Sequence, residues 1–140
     1  SSEDYFRLIE AARSEGKERI ALMMETMCST GIRVSELKFF TVESVRSGIV
    51  RVWNKGKYRL VVLPEKLCVK LEKYIVDRKL QSGMVFVTRN GKPVDRSNIW
   101  REMKKLADIL GHSSMEVTRI YASDGIASWK EKIEQLNLVV

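Results

Sequence analysis

The stretch KERIALMMETMCSTGI, residues 17–32, constrains the fold more than any other part of the chain. Its apolar residues run almost all round a helical wheel instead of along one stripe, so as a helix it has no face suited to water. Such a helix must lie inside, with other elements packed about it. A chain of 140 residues can do this within one domain, and a hydrophobic content of 44% supplies the covering. On one side, EDYFRLIEAARSEG follows a capping Ser2, sets Tyr5, Leu8, Ile9 and Ala12 on one face, and ends at Gly16. On the other, Gly31 punctuates the core helix and RVSELKFF restarts a helical turn.

From Ser47 the period changes. GIVRVW and YRLVVLP are rich in β-branched residues, and NKGK between them is turn material, which predicts a hairpin closed by Pro64. PEKLCVKLEKYIVDRKL returns to helical spacing, GMVFVT reads as a third short strand, and RNGKP is a turn. Asp95 or Ser97 then caps a helix over NIWREMKK, and the tail IASWKEKIEQLNLVV carries Ile126, Trp129, Ile133 and Leu136 on one stripe. The expected fold class is mainly α with a small antiparallel three-stranded β-sheet (α+β). Eight glycines and two prolines leave no room for a long disordered linker. No apolar run reaches membrane-spanning length and no secretory signal pattern is present. The chain opens on Ser1-Ser2-Glu3-Asp4 and not on methionine, so the native start is expected upstream. Cys28 and Cys68 sit in apolar surroundings, without a CxxC partner or a nearby histidine, and read as reduced thiols of a cytosolic protein.

The net charge of +7 is unevenly spread. Residues 1–47 carry seven basic and eight acidic side chains, residues 48–105 fifteen and five, and residues 106–140 three and five. A positive middle between near-neutral ends points to a polyanion, most simply nucleic acid. A solvated lysine-rich surface would have the same charge, so charge alone does not decide.

LGHSSMEVTRIY, residues 110–121, holds the one histidine of the chain, nine positions before a tyrosine. On one unbroken helix nine residues turn through about 900°, which would put His112 and Tyr121 on opposite faces. Gly111 suits the left-handed residue just past a helix end, and Ser113 with Glu116 forms the S-x-x-E box that opens a new helix. His112 thus falls in a joint, at a helix N-terminus friendly to anions, with Tyr121 about 12 Å further along. Earlier in the chain, TGIRVSEL puts Arg33 after the core helix, with Glu36 three positions on where it can hold the guanidinium. A guanidinium fork matches two phosphate oxygens. WNKGKYR mounts Lys55 on a hairpin tip.

The order TGIRVSEL, NKGKYRLVVLP, VFVTRNGKPVDRSNIW, LGHSSMEVTRIY resembles the catalytic domain of the tyrosine recombinases, the phage and transposon integrase family, over nearly the whole chain. The resemblance implies Arg33 as a catalytic arginine with Glu36 supporting it, Lys55 as the hairpin lysine, His112 as the second histidine, and Tyr121 as nucleophile. It implies DNA cleavage and rejoining through a 3′-phosphotyrosine, with Lys57, Arg59, Arg89, Lys92 and Arg96 on neighbouring phosphates. The side chains supply the cations, so neither cofactor nor metal is implied. The implied partners are double-stranded DNA and other protomers in a tetramer, in the bacterial cytoplasm, with an additional N-terminal domain clamping the duplex. The apolar stripe of the tail suits either exchange between neighbouring protomers, as the family commonly does, or packing on its own core.

One part departs from the pattern. The family's His-x-x-Arg-His motif belongs between the NIW helix and the LGH helix, where REMKK here runs straight into LADILGH. The match on either side implies a segment lost between Lys105 and Leu106, although Ile99, Trp100, Met103, Leu106 and Leu110 also read through as one helix. Alternatives are a DNA-binding module of this fold without catalysis, a basic helical protein that binds RNA or a protein, and a type IB topoisomerase, which the compact length and LGHSS motif disfavour.

Overall fold

The computed structural model describes residues 2–110, with side chains over 7–106 and at Asp108. Helices α1 (Ser2–Ser14) and α2 (Glu18–Thr30) lead into a 3-10 helix (Val34–Phe39) and the short α3 (Val42–Ser47). Strands β1 (Ile49–Asn54) and β2 (Lys57–Val62) follow, then α4 (Glu65–Asp77) and α5 (Arg96–Leu110). The all-round apolar stretch is the centre of the molecule. Every residue of α2 from Ile20 to Cys28 is buried, and α1, α4 and α5 all pack against it. Two of those buried residues are polar. Thr26 donates to the Leu22 carbonyl at 2.6 Å. Glu25, 2% exposed, accepts from Arg13 Nη2 at 2.7 Å and Lys70 Nζ at 2.8 Å, lashing α1 and α4 to α2. Burial works against the Arg13 charge, yet its bond to Glu25 leaves the guanidinium pKa above its usual value.

The hairpin pairs Val50 with Val61 and Val52 with Arg59 on its inner face, against the 3-10 helix and α3. Its outer face pairs Ile49 with Val62, Arg51 with Leu60, and Trp53 with Tyr58, all exposed. Among the described residues the sheet has two strands, not the three expected. The segment predicted as the third makes only single bridges, Met84 to Thr41 and Val87 to Pro93. Its pairing is cut short by a left-handed Gly83 (φ 81°) and by a partner proline that has no N–H to give. Burial of Val85 and Phe86 holds it in place without a ladder.

Asp95 is the cap of α5: Asn98 N–H donates to its Oδ1 at 2.8 Å and Asp95 N–H to Asn98 Oδ1 at 2.9 Å. From there α5 runs through Lys105 and Leu106 to Leu110. The physical reason is spacing: Ile99, Met103 and Leu106 fall at i, i+4 and i+7 and are all buried. Neither cysteine forms a disulfide; Cys28 is buried and Cys68 half-buried, and burial pushes the Cys68 thiol up. No described helix is long and apolar enough to cross a membrane.

Candidate nucleic-acid interface

The site grows from the C-terminal end of α2. Gly31 takes the left-handed conformation (φ 75°, ψ 13°) and donates its N–H to the Met27 carbonyl at 2.9 Å, which stops the helix cleanly. Ile32 is buried, and Arg33 follows in extended backbone with its side chain in solvent. Among the described residues no carboxylate pairs with the Arg33 guanidinium.

Glu36 was expected to hold that guanidinium. It holds the Arg33 backbone instead: Arg33 N–H donates to Glu36 Oε1 at 2.8 Å, while Glu36 N–H donates to the Arg33 carbonyl at 2.9 Å. The rest of the carboxylate faces the hairpin. Arg59 donates Nη1 to Oε2 at 2.8 Å and Nη2 to Oε1 at 3.0 Å, and Asn54 Nδ2 reaches Oε2 at 3.5 Å. Glu36 is 1% exposed. Burial alone would raise its pKa, but the Arg59 hydrogen bonds, the Arg33 N–H and the Arg59 charge outweigh it and hold the carboxyl below the usual carboxylate value. The same bonds raise the Arg59 pKa. Arg59, expected on a DNA phosphate, therefore has both terminal nitrogens committed inside the protein.

The consequence is positional. The residue before Lys55 and the residue four after it both touch the carboxylate that pins the Arg33 turn. Lys55 and Gly56 form the two-residue hairpin tip with φ 53° and 77°, the consecutive left-handed pair that a I′ turn requires. Lys55 and Lys57 project into solvent there. Arg33, Glu36, Lys55 and Lys57 are thus brought to one neighbourhood.

The other basic residues are not. Arg89 and Lys92 are exposed on the turn closed by Thr88 N–H to the Lys92 carbonyl at 2.7 Å, and exposed Arg96 opens α5. Arg89 lines a cleft together with Arg19, near the start of α2, whereas Arg33 follows that helix's end. Roughly 17 Å of helix separates the two regions. His112 and Tyr121 lie outside the described residues. Among the described residues no cluster of histidine, cysteine and acidic side chains could hold a metal ion. Sequence reasoning missed Asn54 and Arg59 as partners of Glu36. Strand alternation carried the signal, since both share the inward face with Val50, Val52 and Val61.

Residues 1–108 match the family model described as the phage integrase family. The tyrosine recombinase XerD of Shewanella oneidensis is 35% identical over 98 residues, covering 64% of this chain and 33% of that protein. XerD of Pseudomonas putida is 33% identical over 103 residues, covering 67% and 35%. This chain therefore spans about a third of the length of the curated relatives it matches. The crystal structure of XerA recombinase superposes with a TM-score of 0.64 at 27% identity, over 81% of this chain and 42% of that one. A lambda integrase dimer bound to a COC′ core site gives 0.61 at 19% identity, over 81% and 44%, a likeness of fold.

Proposed function

This chain belongs to the phage integrase family, and we propose that it serves site-specific DNA recombination, cutting and rejoining strands through a covalent 3′-phosphotyrosine. The observation that supports this most is the Glu36 clasp, which sets an unpaired arginine and a lysine-tipped hairpin side by side on one face. Phosphoryl transfer spreads negative charge over the non-bridging oxygens, and positioned cations are what it needs most. Arg33 meets the scissile phosphate. Tyr121 attacks phosphorus in line, the bond to the 5′-oxygen breaks, and Lys55 gives that oxygen a proton as it leaves. His112 donates a hydrogen bond beside Arg33. The covalent link conserves the phosphodiester energy, so rejoining needs no ATP. Lys57 holds a neighbouring phosphate and adds affinity without sequence information. The partners are double-stranded DNA and further protomers, four in the assembled complex. An additional domain clamping the duplex would supply part of the sequence choice.

A second reading rests on a specific observation. With no His-x-x-Arg-His in the sequence, Arg33 lacks the second arginine that the family resemblance implies. A DNA-binding module of this fold without catalysis would look the same. A duplex nicked beside the target phosphate separates the two, because cleavage there releases the short strand and traps the adduct. A covalent protein–DNA species that Tyr121→Phe abolishes is the outcome expected of the recombinase. Salt-sensitive binding with no adduct identifies the module, and no affinity even at low salt contradicts both.

A further inference from the structure

We propose that the cleft at the far end of α2 is a binding site for a nucleoside phosphate. Its volume is about 690 Å³, within the range of small-molecule sites. Five cations from separate parts of the chain converge on it: Arg19 of α2, Arg78 just past α4, Arg89 of the turn, and Arg101 and Lys105 of α5. Only Arg19 is neutralised, by Glu102 at 2.9 and 3.1 Å, and its Nε donates to the Val87 carbonyl at 3.0 Å. Among the described residues no carboxylate pairs with the other four.

That arrangement costs the folded protein stability. Arg101 and Lys105 stand one helical turn apart on the same face of α5, where like charges repel. A bound anion would reverse the sign of the interaction. The predominance of arginine favours phosphate, because planar forks match its oxygens in pairs. Arg78 lies over the Tyr74 ring, 4.9 Å from its centroid, which orients its guanidinium. The remaining wall mixes apolar Leu80, Val85 and Val87 with Tyr74, Thr88, Asn98 and Glu102. A base and sugar would cover that wall, and the arginine planes offer stacking surfaces for a base. An acidic peptide would use the charge and leave the apolar part of that wall wet. The cleft is separate from the Arg33–hairpin face, from which the length of α2 divides it.

The same chemistry is offered by a free nucleotide and by the phosphorylated end of a single strand. Calorimetric titration of the full chain with AMP, adenosine, inorganic phosphate, and a thymidine hexamer with or without a 5′-phosphate tests the proposal. AMP should bind more tightly than adenosine or phosphate. Arg78→Ala combined with Arg101→Ala, both exposed positions, should weaken AMP binding about tenfold or more. The single variant Arg101→Lys, which keeps charge but loses the fork, should fall between. Lys55→Ala with Lys57→Ala should leave AMP binding unchanged. A hexamer that needs its 5′-phosphate and outcompetes AMP identifies a strand end, and a hexamer no better than AMP identifies the free nucleotide. The proposal is overturned if AMP does not bind, if phosphate binds equally well, if the hairpin variant loses as much as the cleft variant, or if penta-glutamate displaces AMP more readily than adenosine does. Thermal unfolding of the variants at or above the temperature of the parent chain guards against loss of fold.

Discussion

Glu36 joins two chain segments through one buried carboxylate, and its charge state should be visible in stability. Its folded pKa lies below the usual value of 4.5, against the pull of burial, because Arg59 and the Arg33 N–H favour the anion. A depressed carboxyl contributes stability that is complete above the unfolded pKa and is lost as pH falls through the folded one. Denaturant titrations between about pH 3 and pH 6 should therefore show a loss below the ordinary carboxylate range that Glu36→Gln removes. At neutral pH, Glu36→Ala should cost about 2 kcal/mol, since the Arg33 N–H and the Arg59 guanidinium both lose their acceptor. The coupling to Arg59, a partly exposed partner, should be nearer 1 kcal/mol in a double-mutant cycle. The same bond separates two basic residues of similar appearance. Lys57→Ala should flatten the salt dependence of DNA binding by about one unit of slope, and Arg59→Ala by clearly less, because Arg59 is already neutralised. Equal slopes for the two would mean that Arg59 leaves Glu36 when DNA arrives.

At the level of elements, what the sequence made legible depended on how much of the pattern burial controls. The apolarity of residues 17–32 on all sides leaves only one place for α2, and the alternation around NKGK leaves little choice for the hairpin. Val85 and Phe86 look like a strand for the same reason that they are buried, yet Gly83 and Pro93 deny them a ladder. Helix α3 escaped notice because its six residues bury only Val42 and Val45 and depend on a local cap, Thr41 Oγ1 accepting the Ser44 N–H at 3.0 Å. The hairpin tip gives a test that parts stability from function. Lys55 adopts a left-handed conformation that glycine tolerates better, so Lys55→Gly should raise stability by up to about 1 kcal/mol. The same change should abolish covalent adduct formation, and a variant both less stable and fully active would remove Lys55 from its proposed role. In α5, Leu106→Ala should cost about 3 kcal/mol if the helix packs continuously across the junction. A loss near zero would mean that Leu106 is not in the core.

Across the whole molecule, the excess of positive charge in residues 48–105 was legible as a total and misleading as a place. The fold sends part of it to the hairpin beside Arg33 and part to the cleft at the other end of α2. Arg19, Arg78, Arg101 and Lys105 are spread over 87 positions of sequence and share no motif, so only packing reveals that they meet. Each proposed site motif is local in sequence, whereas the clasp between Glu36 and the hairpin depends on strand register. DNA recognition on this account belongs to the Arg33–hairpin face. Amide hydrogen exchange of the full chain, with and without a target duplex, tests that most directly. The expected result is slowed exchange over residues 31–39 and 54–58, with little change around Arg78 and Arg101. Protection of the cleft with an unprotected hairpin tip would contradict it.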